Sequence, residues 1–410
     1  MLSKTILVIG TYDTKDDELA YLASVIRGQG GQVLTMDVSV LGDPTKPTDY
    51  SKHDVAQEGG SSIEAAIATK NENKAMQIMA EGAALLTARL YAEGEFDGMM
   101  VLGGSMGTDL ALDVTAALPL GVPKYIVSTV SFSPLIPPER LAADTQMILW
   151  AGGLYGLNDI CKASLSQAAG AVLGAANAVE KPDPSTPMIG MTSLGKTALR
   201  YMVALKPALE ARGYQVAVFH STGMGGRAFE SLASQGAFAC VFDLCTQELG
   251  NHVHGSNISA GADRLTNAGA NGTPQIVSGG CYDLVDIVGW HGLPEKWKDH
   301  PNHAHNRLIT SIVLNDEERR EVARAHSKQL ATAKGPVAFI LAAHGYGEWD
   351  REGADLYDED GLGAFSAELA ATLPQNVDRH TVDAHINDAA FADKALEIFD
   401  DWREKGLIKG

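Results

Sequence analysis

The residues in this chain best equipped for chemistry sit in glycine-rich stretches between an apolar run and a helical one. In Gly10-Thr-Tyr-Asp-Thr-Lys15, backbone N–H groups at a helix start, the hydroxyls of Thr11 and Thr14 and the Lys15 ammonium favour an anion. Asp16, Asp17 and Glu18 follow at once and repel a bare phosphate; a metal-bridged phosphate with Asp13 near the ion meets that objection, and a capped structural turn is the competing reading. The second stretch, Gly103-Gly-Ser-Met-Gly107-Thr108, combines three glycines that admit close backbone approach with the hydroxyls of Ser105 and Thr108. Glycines required only for tight packing are the alternative.

A third stretch, Gly190-Met-Thr-Ser-Leu-Gly195-Lys196-Thr197, has Walker A spacing, which would aim Lys196 at phosphate and Thr197 at magnesium. Asp243, at the end of the run Ala239 to Asp243, would then be its acidic partner, and these residues alone would suggest a phosphate-loop nucleoside triphosphatase. A fourth, Val218-Phe-His220-Ser-Thr-Gly223-Met-Gly-Gly226-Arg227, ends in an arginine suited either to clamping a carboxylate or phosphate in two-pronged fashion or to a structural salt bridge.

Histidines gather late in the chain, at His252, His254, His291, His300, His303, His305 and His344. His252 and His254 are spaced to ligate a metal, but spacing fixes no third ligand, and polar surface positions are the simpler reading. The candidates for catalysis are His220, Arg227, Lys196 and His344, the last in a glycine-flanked His344-Gly-Tyr-Gly347. No Gly-x-Ser-x-Gly elbow and no His-Glu-x-x-His helix is present, which disfavours serine hydrolase and zincin chemistry.

The elements that must hold these loops follow from apolar periodicity. Thr5 to Ile9 reads as a strand, and Leu19, Leu22, Ala23 and Ile26 fall on one face of a helix begun by a Thr14/Asp17 capping box. Val33 to Asp37 closes a βαβ unit, and Met188 to Phe219 repeats the same order. We therefore expect an α/β protein of two Rossmann-like lobes with parallel sheets and a cleft between them, residues 1–180 and 188–410, joined at the proline-rich stretch from Glu180 to Pro187. The last helix should span Ala389 to Lys405, with Phe391, Ala395, Ile398, Phe399 and Trp402 on its docking face.

Composition narrows the setting. The 410 residues are 45% hydrophobic and 20% charged, enough to bury large cores. With 32 basic against 51 acidic residues the net charge is -19, and no basic run offsets it, so nucleic acid is not an expected partner. The four cysteines are scattered and read as buried thiols. Neither a signal peptide nor a long apolar span appears, so the chain is expected in the cytoplasm and off the membrane.

The loop motifs together resemble one family, the ATP-binding amino-terminal domain of the tomato mosaic virus resistance protein and its uncharacterised bacterial homologues. The resemblance is carried by Gly10 to Lys15, Leu102 to Thr108, Gly190-Met-Thr192, Val218 to Arg227, Gly261-Ala-Asp-Arg264 and Pro274 to Val277. It implies two Rossmann-like lobes, ATP with magnesium, and a homodimer. The ATP role is carried to Gly10, Thr11, Asp13, Thr14, Lys15, Gly103, Gly104, Ser105, Gly107 and Thr108. This chain departs from the family pattern at Ser193-Leu-Gly-Lys-Thr197, at His344 to Asp350 and at His252-Val-His254. Three readings stay open: an ATP-binding protein acting on a small substrate between the lobes, a nucleotide-binding interaction module without turnover, and a metal- or base-dependent lyase, isomerase or hydrolase of a sugar-acid-like metabolite.

Overall fold

In the computed structural model residues 3–180, 183 and 185–408 are described, so the expected proline-rich join lies partly outside the described residues. The chain divides into two compact units, Met1–Pro182 and Asp183–Gly410.

The first unit runs β1 (Thr5–Gly10), α1 (Asp16–Gly28), β2 (Gln32–Asp37), α2 (Lys52–Glu58), α3 (Ile63–Ala68), α4 (Glu72–Ala92), β3 (Gly98–Gly103), α5 (Ser105–Ala116), β4 (Lys124–Ser128), β5 (Thr145–Leu149) and α6 (Asp159–Ala178). Its strands are all parallel, in the order β2-β1-β3-β4-β5. A parallel sheet covered on both faces needs apolar residues at nearly every strand position, which is how β1 and β3 read. The pleat divides them. Leu7, Ile9, Met99 and Val101 pack with Met79 and Ala83 of α4 and Leu110 of α5, whereas Ile6, Val8, Met100 and Leu102 pack with Leu19 and Leu22 of α1 and Leu165 of α6.

The second unit runs β6 (Met188–Ser193), α7 (Arg200–Glu210), β7 (Gln215–His220), α8 (Met224–Ser234), β8 (Cys240–Cys245), α9 (Gln247–Val253), α10 (Asn267–Ala270), β9 (Gln275–Gly280), β10 (Leu284–Val288), β11 (Asn302–Ala304), β12 (Ile309–Val313), α11 (Asp316–Leu330), β13 (Val337–Ala342), α12 (Glu359–Thr372), β14 (Val377–Val382) and α13 (Ala389–Glu404). Its main sheet is parallel, ordered β7-β6-β8-β9-β13-β14. Counting only the strands of each parallel sheet, both open 2-1-3-4-5, a doubly wound order consistent with two Rossmann-like lobes.

Two features differ from expectation. The Thr14/Asp17 capping box is not formed: α1 starts at Asp16 with Lys15 as its cap, no side chain caps it, and the Thr14 hydroxyl meets that of Thr11 at 3.0 Å. The stretch after β9 is also more regular than its sequence suggests, since β10, β12 and β11 form an antiparallel sheet. The last helix lies where periodicity places it, with Phe391, Ala395, Ile398, Phe399 and Trp402 buried. No described helix is long and apolar enough to cross a membrane.

Candidate functional site

In a 2-1-3 strand order the connections leaving strands 1 and 3 run to opposite faces of the sheet, and a crevice opens between their carboxyl ends. In the first unit those ends are Gly10 and Gly103, and a cavity of about 310 Å³ lies there. It is lined by Gly10, Thr11, Thr14 and Lys15 from one loop and Gly103, Gly104, Ser105, Met106 and Gly107 from the other, with Val38, Met76, Val101 and Leu102 as an apolar wall. Eight of the ten residues carried over for ATP therefore line one cavity; Asp13 and Thr108 do not. The Asp13 carboxylate accepts the Gly42 amide at 3.2 Å, and the buried Thr108 hydroxyl meets the Gly104 carbonyl at 2.7 Å and the Ser128 hydroxyl at 2.6 Å, pinning the loop.

The amino end of α5 is built differently from that of α1. Its cap is Gly104, among the described residues no side chain accepts from its first amides, and its first turn carries no acid. Those unsatisfied N–H groups and the helix dipole favour an anion. Asp16, Asp17 and Glu18 crowd the first turn of α1 instead. The glycines of the α5 loop also have separable reasons. A Cβ at Gly103 would stand 2.6 Å from the Gly107 Cα, so the turn itself forbids a side chain there. At Gly104 a Cβ would meet only the Thr129 Oγ1, at 3.8 Å, and the backbone is extended (φ −76, ψ −156), so the fold does not demand glycine at this position. The Lys15 ammonium stands over the Tyr155 ring, 5.5 Å from its centroid.

The second unit does not form a phosphate loop. Gly190 is not at a strand end but inside β6, paired with Ala217 and Val241, and a Cβ there would press on Phe229 and Phe238. Only Leu194 to Leu199 remain between β6 and α7, too few for the Walker A loop to wrap a phosphate, and Lys196 is exposed. The would-be acidic partner Asp243 is instead buried against Arg264, whose Nη2 donates to it at 2.7 Å, while Thr192 donates at 2.8 Å.

The fourth glycine-rich stretch holds an anion, and it is the chain's own. Glu248, fully buried in the first turn of α9, accepts the Gly223 amide at 2.6 Å and the Gly226 amide at 3.0 Å. A Cβ at Gly226 would overlap its Oε2 at 1.8 Å. Arg264, with no exposed surface, ties Glu248, Glu230 and Asp243 together. Burial pushes the Glu248 carboxyl up to about 7, against the pull of Arg264 and the two amides. Glu230, Glu248 and Arg264 were not among the candidate site residues, and Asp243 was read only as a Walker partner, because no spacing rule links positions brought together from α8, β8, α9 and a loop.

The proposed catalytic residues are dispersed. Arg227 is buried in a salt bridge with Asp263 at 2.6 Å, the structural alternative for that residue. His344 is exposed and meets Asp383 at 2.7 Å. The His220 Nδ1 accepts the Gly195 amide at 3.3 Å. His252 is exposed, whereas His254 is buried edge-on to Trp297 with its Nε2 3.3 Å from the Glu318 carbonyl. Among the described residues no group of three His, Cys, Asp or Glu side chains that could hold an ion is found.

The comparisons with known proteins follow the same division. Residues 4–181 match the N-terminal domain, and residues 186–403 the C-terminal domain, of Uncharacterised protein family UPF0261. The chain belongs to this family. It is 53% identical over 406 residues to a UPF0261 protein of Brucella melitensis, covering 99% of this chain and 97% of that one. A UPF0261 protein of Clostridium tetani is 33% identical over 394 residues, 95% of this chain and 97% of the relative. The ToMV resistance protein Tm-1 of tomato is 28% identical over 423 residues, 97% of this chain and 55% of that protein. Among solved structures, the E. coli ADP-heptose lps heptosyltransferase II is 12% identical, covers 67% of this chain and 85% of its own, and aligns with a TM-score of 0.20, which carries no argument.

Proposed function

We propose that this chain is a nucleotide-binding protein whose first unit holds the phosphates of ATP between the Gly10–Lys15 and Gly103–Gly107 loops. One contrast carries the reading. In the second unit the acid at the start of the helix after the third strand, Glu248, fills the glycine-rich amides itself. In the first unit the helix after the third strand has no acid in its first turn, and a cavity stands before it. The donors there, backbone amides with the Thr11, Thr14 and Ser105 hydroxyls and Lys15, suit phosphate oxygens, and Val38 and Met76 suit an apolar ring. ATP is preferred to other nucleotides because of the family resemblance of the two loops. Magnesium would arrive with the phosphates, to which the protein need add only one or two carboxylates; Asp13, the acid of the loop, would have to release the Gly42 amide and turn to the cavity to supply one. The homodimer implied by the resemblance belongs to the same proposal, and a mass measurement in solution tests it.

Calorimetric titration with ATP, with and without magnesium, is the direct test. The wild type should bind. Gly104→Val should fold normally, because its Cβ has room, and lose ATP affinity by about a hundredfold or more, roughly 2.7 kcal/mol, because branched methyl groups stand where phosphate must approach the backbone. Undiminished affinity in folded Gly104→Val would remove the first unit as the site.

A further inference from the structure

The chain leaving β4, Ser128-Thr129-Val130-Ser131, carries three hydroxyls, and two of them are spent inside the fold. The buried Ser128 hydroxyl meets that of Thr108 at 2.6 Å and accepts the Val130 amide at 3.0 Å. The buried Ser131 hydroxyl donates to the Ile148 carbonyl at 3.3 Å. Thr129 is half-buried, and its hydroxyl makes no hydrogen bond within the described residues.

The backbone fixes where that hydroxyl stands. Ser128 pairs with Gly103 in the register of β3 and β4, and the Thr129 amide donates to the Gly103 carbonyl at 3.3 Å, so this loop is tied to the glycine-rich one. A Cβ added to Gly104 would have one neighbour within 4 Å beyond the adjacent residues, the Thr129 Oγ1 at 3.8 Å. The free hydroxyl therefore borders the open space before Gly104, and Gly104 lines the cavity of about 310 Å³ together with Ser105, Met106 and Gly107.

We propose that Thr129 is a phosphate-binding residue of this cavity, supplied by a third loop: its hydroxyl donates to a phosphate oxygen held by the Gly103–Gly107 turn. A phosphate brought against the first amides of α5 fills the space that a side chain on Gly104 would take, and that space lies beside the Thr129 hydroxyl. A hydroxyl can turn its proton toward the anion, and a bond to an ionised oxygen is stronger than one to a neutral acceptor. The β-branched side chain has few rotamers, so little freedom is lost when it is held in place. Because β1, β3 and β4 are neighbours in the sheet, donors from three strand ends would then converge on the phosphates. The inference rests on the nucleotide reading and adds to it a residue that the family resemblance does not assign.

Calorimetric titration of the full chain with ATP and magnesium, on the wild type, Thr129→Val, Thr129→Ser and Gly104→Val, tests the proposal. Thr129→Val keeps the shape of the side chain and the amide bond to Gly103 and removes only the hydroxyl. Its ATP affinity should fall about tenfold with the melting temperature unchanged. Thr129→Ser keeps the hydroxyl and should stay within about threefold of the wild type. The proposal is overturned if Thr129→Val binds as the wild type does, or if Thr129→Ser loses as much as Thr129→Val. It is overturned too if Thr129→Val melts well below the wild type, which would show that the hydroxyl is structural. Any of these results, with ATP bound by the wild type and lost in Gly104→Val, leaves the nucleotide reading standing. A wild type that binds no ATP, or a folded Gly104→Val that binds it undiminished, removes that reading and this proposal with it.

Discussion

Replacing Arg264 by methionine tests whether the buried cluster of the second unit is held by charge. The guanidinium has no exposed surface and spreads its donors over Asp243, Glu248, Glu230 and the Cys245 carbonyl. Without it Glu248 keeps the Gly223 and Gly226 amides and Glu230 keeps the Leu265 amide and Asn267, but Asp243 retains only the Thr192 hydroxyl. The loss therefore falls mainly on Asp243, and breaking a buried pair from one side costs about 3–5 kcal/mol. Its pH dependence has a definite sign. The Glu248 carboxyl already lies at about 7, raised by burial, and Arg264 is what draws it down; the variant raises it further. A carboxyl whose folded pKa exceeds its unfolded value stabilises fully below the unfolded value, about 4.3, and loses that contribution as pH climbs through the folded value. The variant should consequently be about 1–2 kcal/mol less impaired at pH 5 than at pH 8. Urea unfolding followed by tryptophan fluorescence reports on this unit, which carries Trp290, Trp297, Trp349 and Trp402. A loss under about 1 kcal/mol, or the same loss at both pH values, would refute the electrostatic account.

Gly226→Ala forces a methyl group into the Glu248 carboxylate and should unfold the second unit, read as lost near-ultraviolet dichroism with the first unit's ATP titration as the control. His326, buried with its Nε2 2.8 Å from Thr246 and its Nδ1 2.8 Å from the Val322 carbonyl, is lowered by burial from 6.5 to about 4. Its stabilising contribution is whole above pH 6.5 and is lost as pH falls through about 4, on the order of 3 kcal/mol, so His326→Gln should flatten the acid limb of a stability profile. Lys196→Ala should leave ATP affinity within about threefold, roughly 0.7 kcal/mol; a hundredfold loss would return the nucleotide to the second unit.

The sheets and their repeat were legible because buried parallel strands are nearly continuous apolar runs, as in Ile6 to Ile9 and Met99 to Leu102, and the glycines after them mark where each chain turns. The Walker A spacing misled because it counts residues and not strand length: β6 extends through Ser193 and absorbs half of the motif. Val38 and Met76 were invisible as cavity lining, since an apolar residue beside a ligand has the same sequence signature as one in a core. That Asp286, Ser311 and His303 stand opposite one another across β10, β12 and β11 depends on the register of three short strands, and strands of three to five residues leave too little alternation to read.

Glu248 is also a tethered competitor. A carboxylate fixed to the chain and seated on the Gly223 and Gly226 amides presents itself at an effective concentration that no cellular phosphate pool approaches, whatever the intrinsic preference of those amides. Free phosphate esters are thereby shut out of the Gly223–Gly226 loop without any change in its backbone.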